Sequence, residues 1–141
     1  MKKRTDELLE ILKKKTDIDS FIEENEDEFE NKSLAQLLGE ILCNCGIEKA
    51  EVVRRSNLDK TYAYQMFSGI KSNPSRDKII MLCIAMNASL KDVQNLLQKA
   101  EYPSLYPRKR RDSALIFAIE QHLSLIETNE LLYDIKEDIL E

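Results

Sequence analysis

Apolar residues recur at three- and four-residue spacing along most of the chain, the signature of helices that bury one face. Leu8, Leu9, Ile11 and Leu12 form a stripe over residues 1–15, and Lys13 to Lys15 suit the negative end of that helix. Ile18, Phe21 and Ile22 predict a second short helix around 17–25, followed by the acidic run Glu23 to Asn31, read as a linker or exposed helix end. Ser33 and Gln36 have capping-box spacing ahead of Leu34, Leu37, Leu38, Ile41 and Leu42, and Gly46 stops that helix. Next come two short helices, 48–56 and 60–68, whose Val52, Val53, Leu58, Ala63, Met66 and Phe67 can share one core. Asn57 is the expected left-handed turn residue, Asp59 the cap of the second helix and Gly69 its stop. Asn73 is expected as the next N-cap with Pro74 at the first helical position, opening an almost wholly buried helix through Ile79, Ile80, Leu82, Cys83 and Met86.

The pattern then repeats. Residues 76–97 align with 111–132 at a constant shift of 35, with 7 identities in 22 positions: Arg76/Arg111, Asp77/Asp112, Ile84/Ile119, Ser89/Ser124, Leu90/Leu125, Leu96/Leu131 and Leu97/Leu132. Each copy sets a serine three residues before an acid and ends in Leu-Leu, so 107–134 is expected to be a helical hairpin packed like the pair at 74–99. The intervening segment, Glu101 to Arg111, contains two Tyr/Pro pairs and reads as a rigid packed crossing. Its cations Arg108 to Arg111 are read either as phosphate contacts or as a solvated helix start or cations paired with the acidic tail.

Charge changes the picture. The chain of 141 residues is net −5, which argues against a polyanionic partner, but the charge is segregated. Residues 1–45 carry 7 Lys/Arg against 12 Asp/Glu, residues 46–111 carry 13 against 6, and residues 112–141 carry 1 against 8. A polyanion senses mostly the charges within about 8–10 Å, so the basic middle decides what binds there. That middle coincides with the paired short helices.

Candidate chemistry is sparse. Three cysteines, Cys43, Cys45 and Cys83, have no CxxC pair or nearby histidine, so a metal site is not expected and all three are read as small core or boundary residues. His122 is the sole histidine and is read as a helix-end or exposed residue. Gly39, Gly46 and Gly69 cannot make a glycine-rich phosphate loop. No enzyme activity and no cofactor are expected. No apolar run approaches the ~20 residues of a membrane span, and the N-terminus lacks a secretion signal's apolar core, so a cytoplasmic protein is expected.

At 48–74 the chain resembles the phage-repressor, Cro and Xre class of helix-turn-helix proteins, the lambda-repressor-like domain. The family's landmarks are matched by Val52-Val53 in the second helix, Asn57-Leu58 in the turn, Ala63 in the recognition helix, Gly69 after it and Pro74 before the fourth helix. Val53 stands where alanine is usual and Phe67 where many members have glutamate. The resemblance implies an all-α fold with a five-helix domain at 33–99, about half of the chain; the helices and acidic linker expected at 1–32 and the basic linker and hairpin with an acidic tail expected at 100–141 lie outside it. It implies that Lys60, Thr61 and Gln65 read base edges, with Tyr62 and Tyr64 either joining them or packing on the domain's first helix. Lys49, Ser68 and Lys71 would contact phosphates, Lys49 with help from a helix N-terminus, and Arg76 either joins them or pairs with Asp77 or with acids near Glu101.

Two functions follow as expectations. One is a sequence-specific regulator of double-stranded DNA, located on the nucleoid when bound and acting as a homodimer through either the N-terminal helices or the C-terminal hairpin. The other is a protein-interaction adaptor or antitoxin-like partner that keeps the fold and binds a protein through its acidic flanks.

Overall fold

The computed structural model describes residues 4–14, 17–24 and 32–141. Among the described residues the chain is all-α, with nine helices and no strand. It divides into two compact units, 1–32 and 33–141. The first holds α1 (Thr5–Lys14) and α2 (Ile18–Glu24). Leu9, Leu12, Ile18 and Ile22 are exposed there, whereas Phe21 is buried. Most of the acidic run expected as a linker lies outside the described residues.

The second unit contains α3 (Leu34–Cys45), α4 (Lys49–Arg55), α5 (Lys60–Ser68), α6 (Arg76–Ala85), α7 (Leu90–Lys99), α8 (Arg110–Glu120) and α9 (Leu125–Asp134). α6 is its axis: every residue from Ile79 to Ala85 is buried, and the helix packs on α4, α7 and α9. α3 crosses α5 and α7, α4 rests on α5, and α8 joins α7 to α9. Residues 100–141, set apart by sequence, thus share one compact unit and one apolar core with 33–99.

Local chemistry explains the helix ends. Ser33 and Gln36 form the full capping box of α3, and Gly46 closes that helix at φ 73. Asp59 caps α5 by accepting from the Tyr62 amide. The start of α6 departs from expectation. Its N-cap is Ser75, whose Oγ accepts from the Lys78 amide, and not Asn73. Pro74 lies one residue outside the cap, where its carbonyl accepts the Tyr102 hydroxyl instead. The extended φ −68, ψ 160 of Ser75 places its hydroxyl over the helix end, so the shorter serine side chain takes the cap.

Gly69 closes α5 at φ 89, and an added Cβ there would meet only the Ala35 methyl at an ordinary 3.5 Å. Gly69→Ala should therefore cost about 1–2 kcal/mol from left-handed backbone strain, without a clash, as a downward shift in the urea midpoint.

The three hairpins share one turn. A residue in the left-handed region is followed by an apolar residue and then the N-cap: Asn57, Leu58, Asp59; Asn87, Ala88, Ser89; His122, Leu123, Ser124. His122 is thus the turn residue of the last hairpin, exposed at φ 54.

The 35-residue repeat extends through residue 105 in the first copy and 140 in the second. Gln94 clamps Leu105, accepting from its amide at 2.8 Å and donating to its carbonyl at 2.9 Å. Asn129, 35 positions on, clamps Leu140 in the same way at 2.8 and 3.1 Å. Arg76 donates to the carbonyls of Pro103 and Ser104, and Arg111 to those of Asp138 and Ile139. Glu101 and Lys136, also 35 apart, both sit at φ 64.

The two copies lock together through crossed ion pairs. Arg76 donates both terminal nitrogens to the Asp112 carboxylate at 3.1 Å, and Arg111 donates both to Asp77 at 3.0 and 2.9 Å. Burial pushes the Asp112 carboxyl up, but hydrogen bonds from Arg76 and the Tyr106 amide, with the charges of Arg76 and Lys109, outweigh it and hold the group below its ordinary value. Because the folded state binds this proton less tightly than the unfolded chain, the stabilisation is complete above the ordinary carboxylate range and is lost as pH falls through the folded value. Wild type should therefore lose stability below about pH 4 more steeply than Asp112→Asn, which has no proton to take up. Parallel acid limbs in urea titrations at graded pH would contradict this.

Candidate nucleic-acid interface

The α4–turn–α5 unit presents its charged side through a simple division of labour. Val52, Val53, Ala63 and Met66 are buried, and Leu58 and Phe67 pack half-buried on the core. The remaining face of α5 carries exposed Lys60 and Thr61 with half-buried Tyr64 and Gln65. These four, with Lys49 at the first turn of α4, Ser68 and Ile70, line a shallow open groove of about 460 Å³. No residue of the acidic segment 112–141 lines it. Lysine and glutamine here offer donors and an amide acceptor on a convex helix, the functional groups that base edges in a major groove require.

Not every expected contact residue joins this face. The Tyr62 ring packs half-buried against the core, with the Lys71 and Lys78 ammonium groups 5.5 and 5.3 Å from its centroid. Of the two readings for Tyr62, packing is the one realised, and its partners are in α6 and the loop after α5. Lys71 is exposed beside that ring, away from the groove lining. Lys49 lies 5.5 Å from the Phe67 centroid, so the aromatic at position 67 steadies a cation at the groove's rim. Ser68 is exposed, but its hydroxyl proton goes to the Gln65 carbonyl at 3.2 Å, so donation to a phosphate requires that bond to break.

Arg76 is a correction. Its guanidinium is spent on Asp112 and the carbonyls of Pro103 and Ser104 and is not free to meet a phosphate. The reason is the repeat: the position that begins α6 is the position that locks the two copies. The basic run 108–111 divides similarly. Arg111 is held by Asp77, and Arg110 donates to the Ile135 carbonyl at 2.8 Å near Glu137, while Arg108 and Lys109 remain exposed. On α4, Arg54 is paired with Glu51 at 2.6 Å, and Arg55 approaches the same carboxylate at 3.6 Å.

Two features went unread in the sequence. Ile70 is 73% exposed at the groove's edge, an apolar surface suited to a thymine methyl. Its signal was an isoleucine directly after a helix-stop glycine, a place where an apolar residue ordinarily packs back on its helix. Lys78 over Tyr62 had no signal, because only the docking of α6 brings them together.

Other chemistry is thin among the described residues. No group of three or more His, Cys, Asp or Glu could hold a metal ion. Burial pushes the Cys83 thiol far up, reinforced by the Asp92 carboxylate, which leaves it an inert core residue. Cys45 donates its thiol to the Leu42 carbonyl, whereas Cys43 is exposed and not a core residue. No helix among the described residues is long and apolar enough to cross a membrane. Comparisons with protein families, curated proteins and solved structures found no match to this chain.

Proposed function

We propose that the chain is a sequence-specific double-stranded-DNA-binding transcriptional regulator of the lambda-repressor-like, Xre class, with α5 as its recognition helix and no enzymatic role. In this reading α3 to α7 are the five helices of the domain. The observation that carries it is the single face shared by Lys49, Lys60, Thr61, Tyr64 and Gln65, whose groove is lined by no residue of the acidic segment 112–141 that would repel DNA. Lys60 donates to guanine O6 or N7, Gln65 pairs with adenine, and Lys49 neutralises a phosphate. The protein works in the cytoplasm, on the nucleoid when bound, as a homodimer on a near-palindromic site and without a cofactor.

Selection of bound fragments from mixed genomic DNA at two salt concentrations tests this. Wild type should enrich specific fragments and lose affinity steeply with salt. Lys60→Ala with Gln65→Ala should abolish the enrichment, at about 1–3 kcal/mol of discrimination per base contact, and keep most of the residual non-specific binding. Absence of enrichment by wild type would sink the reading.

An adaptor or antitoxin-like role is the second reading. It is favoured by Ile126 and Tyr133 on α9, 72% and 77% exposed, which with Ile139 flank a shallow groove bordered by Glu130 and Asp134. Partner capture that survives the Lys60/Gln65 substitutions but fails on Tyr133→Ala would favour it.

A further inference from the structure

The two repeat copies meet as one surface facing its own duplicate. Arg76 of the first copy pairs with Asp112 of the second, and Asp77 of the first pairs with Arg111 of the second. The helices follow the same reciprocity, α6 packing on α9 and α7 on α8. Contacts in which position i meets position j and j meets i are those that identical subunits form about a twofold axis. Here both halves lie in one chain. We propose that the α6–α7 face is a latent homodimer interface, masked by α8–α9 acting as a built-in stand-in for a second copy of this chain.

Three observations support it. The lock is self-complementary within the first copy alone, because Arg76 and Asp77 are adjacent. Two α6–α7 faces can set Arg76 against Asp77 of the partner subunit, and Asp77 against the partner's Arg76. Each arginine is also aimed by its own copy, Arg76 by the carbonyls of Pro103 and Ser104 and Arg111 by those of Asp138 and Ile139, so the surface remains arranged when the other copy leaves. Finally, the tether between α7 and α8 is short, which gives α8–α9 a high effective concentration and lets it outcompete a second chain until it is displaced.

This inference does not rest on DNA binding, since its readout is mass. In the full chain, Arg111→Asp with Asp112→Arg sets Arg against Arg and Asp against Asp across the lock and leaves the α6–α7 face unchanged. That variant should show twice the wild-type mass by sedimentation velocity at a concentration where wild type does not change, with a cooperative thermal melt. Adding Arg76→Asp and Asp77→Arg restores opposite charges across the intramolecular lock with reversed polarity and should return the mass to that of wild type. A double variant that keeps the wild-type mass or loses its cooperative melt overturns the proposal, as does a fourfold variant that remains doubled.

Discussion

Replacing Asp112 with alanine is expected to destabilise the 33–141 unit by about 3–5 kcal/mol, the cost of leaving one partner of a buried ion pair uncompensated. The Asp112 side chain is only 5% exposed and accepts two hydrogen bonds from Arg76 and one from the Tyr106 amide at 3.0 Å. Without it, the Arg76 guanidinium keeps two carbonyl acceptors but loses its counter-charge at 21% exposure. Arg76→Ala should cost a similar amount, and the double substitution less than the two together, with a coupling of about 0.5–3 kcal/mol. The surface pair Arg4–Glu7, with side chains 74% and 48% exposed, contributes less than about 1 kcal/mol and is the control. Urea unfolding at low protein concentration is the proper measurement, because association through an uncovered α6–α7 face would offset part of the loss. A change below about 1 kcal/mol for Asp112→Ala would mean that the lock between the copies is not what holds the hairpin.

Leu115→Ala is the second large effect, expected at about 2–5 kcal/mol. Leu115 on α8 is fully buried and belongs to the apolar core that runs from Leu34 to Leu140. Alanine removes its transfer free energy and leaves a cavity that α7 and α9, both packed on α8, cannot fill by simple collapse. Phe117 lies two residues away on the same helix and is 52% exposed. Phe117→Ala should stay within about 1 kcal/mol, since alanine's helix propensity offsets much of the small loss of buried area. Equal midpoints for the two variants would show that α8 is not part of the common core.

Most of the helix ends were legible because local groups specify them. Ser33 with Gln36, Asp59, Ser89, Ser124 and the glycines at 46 and 69 each satisfy or release backbone groups within three or four residues, so spacing alone reveals them. Position 73–75 misled because Asn73 and Ser75 are rival N-caps two residues apart; Ser75 takes the cap, and the Pro74 carbonyl accepts the Tyr102 hydroxyl from outside the helix. The candidate interface was legible in Lys49, Lys60, Thr61, Tyr64 and Gln65 because helical periodicity sorts the faces of α4 and α5. Tyr62 stayed undecided and Ile70 was missed, since an amphipathic residue at a face boundary turns inward or outward according to what docks beside it.

The duplicated Arg-Asp dipeptide shows where sequence ends and tertiary structure begins. Spacing and composition by themselves determine an all-helical chain with its caps and turns, because each rests on interactions within a turn or two of helix, and they display directly its basic middle between acidic flanks and its 35-residue repeat. They do not determine that Arg76 crosses to Asp112 while Asp77 takes Arg111, or that the hairpin at 110–134 closes on α6 and α7. Those choices pair residues 34 to 36 positions apart. They depend on which desolvated charge finds a partner once the apolar faces have met, and only the packed chain decides that.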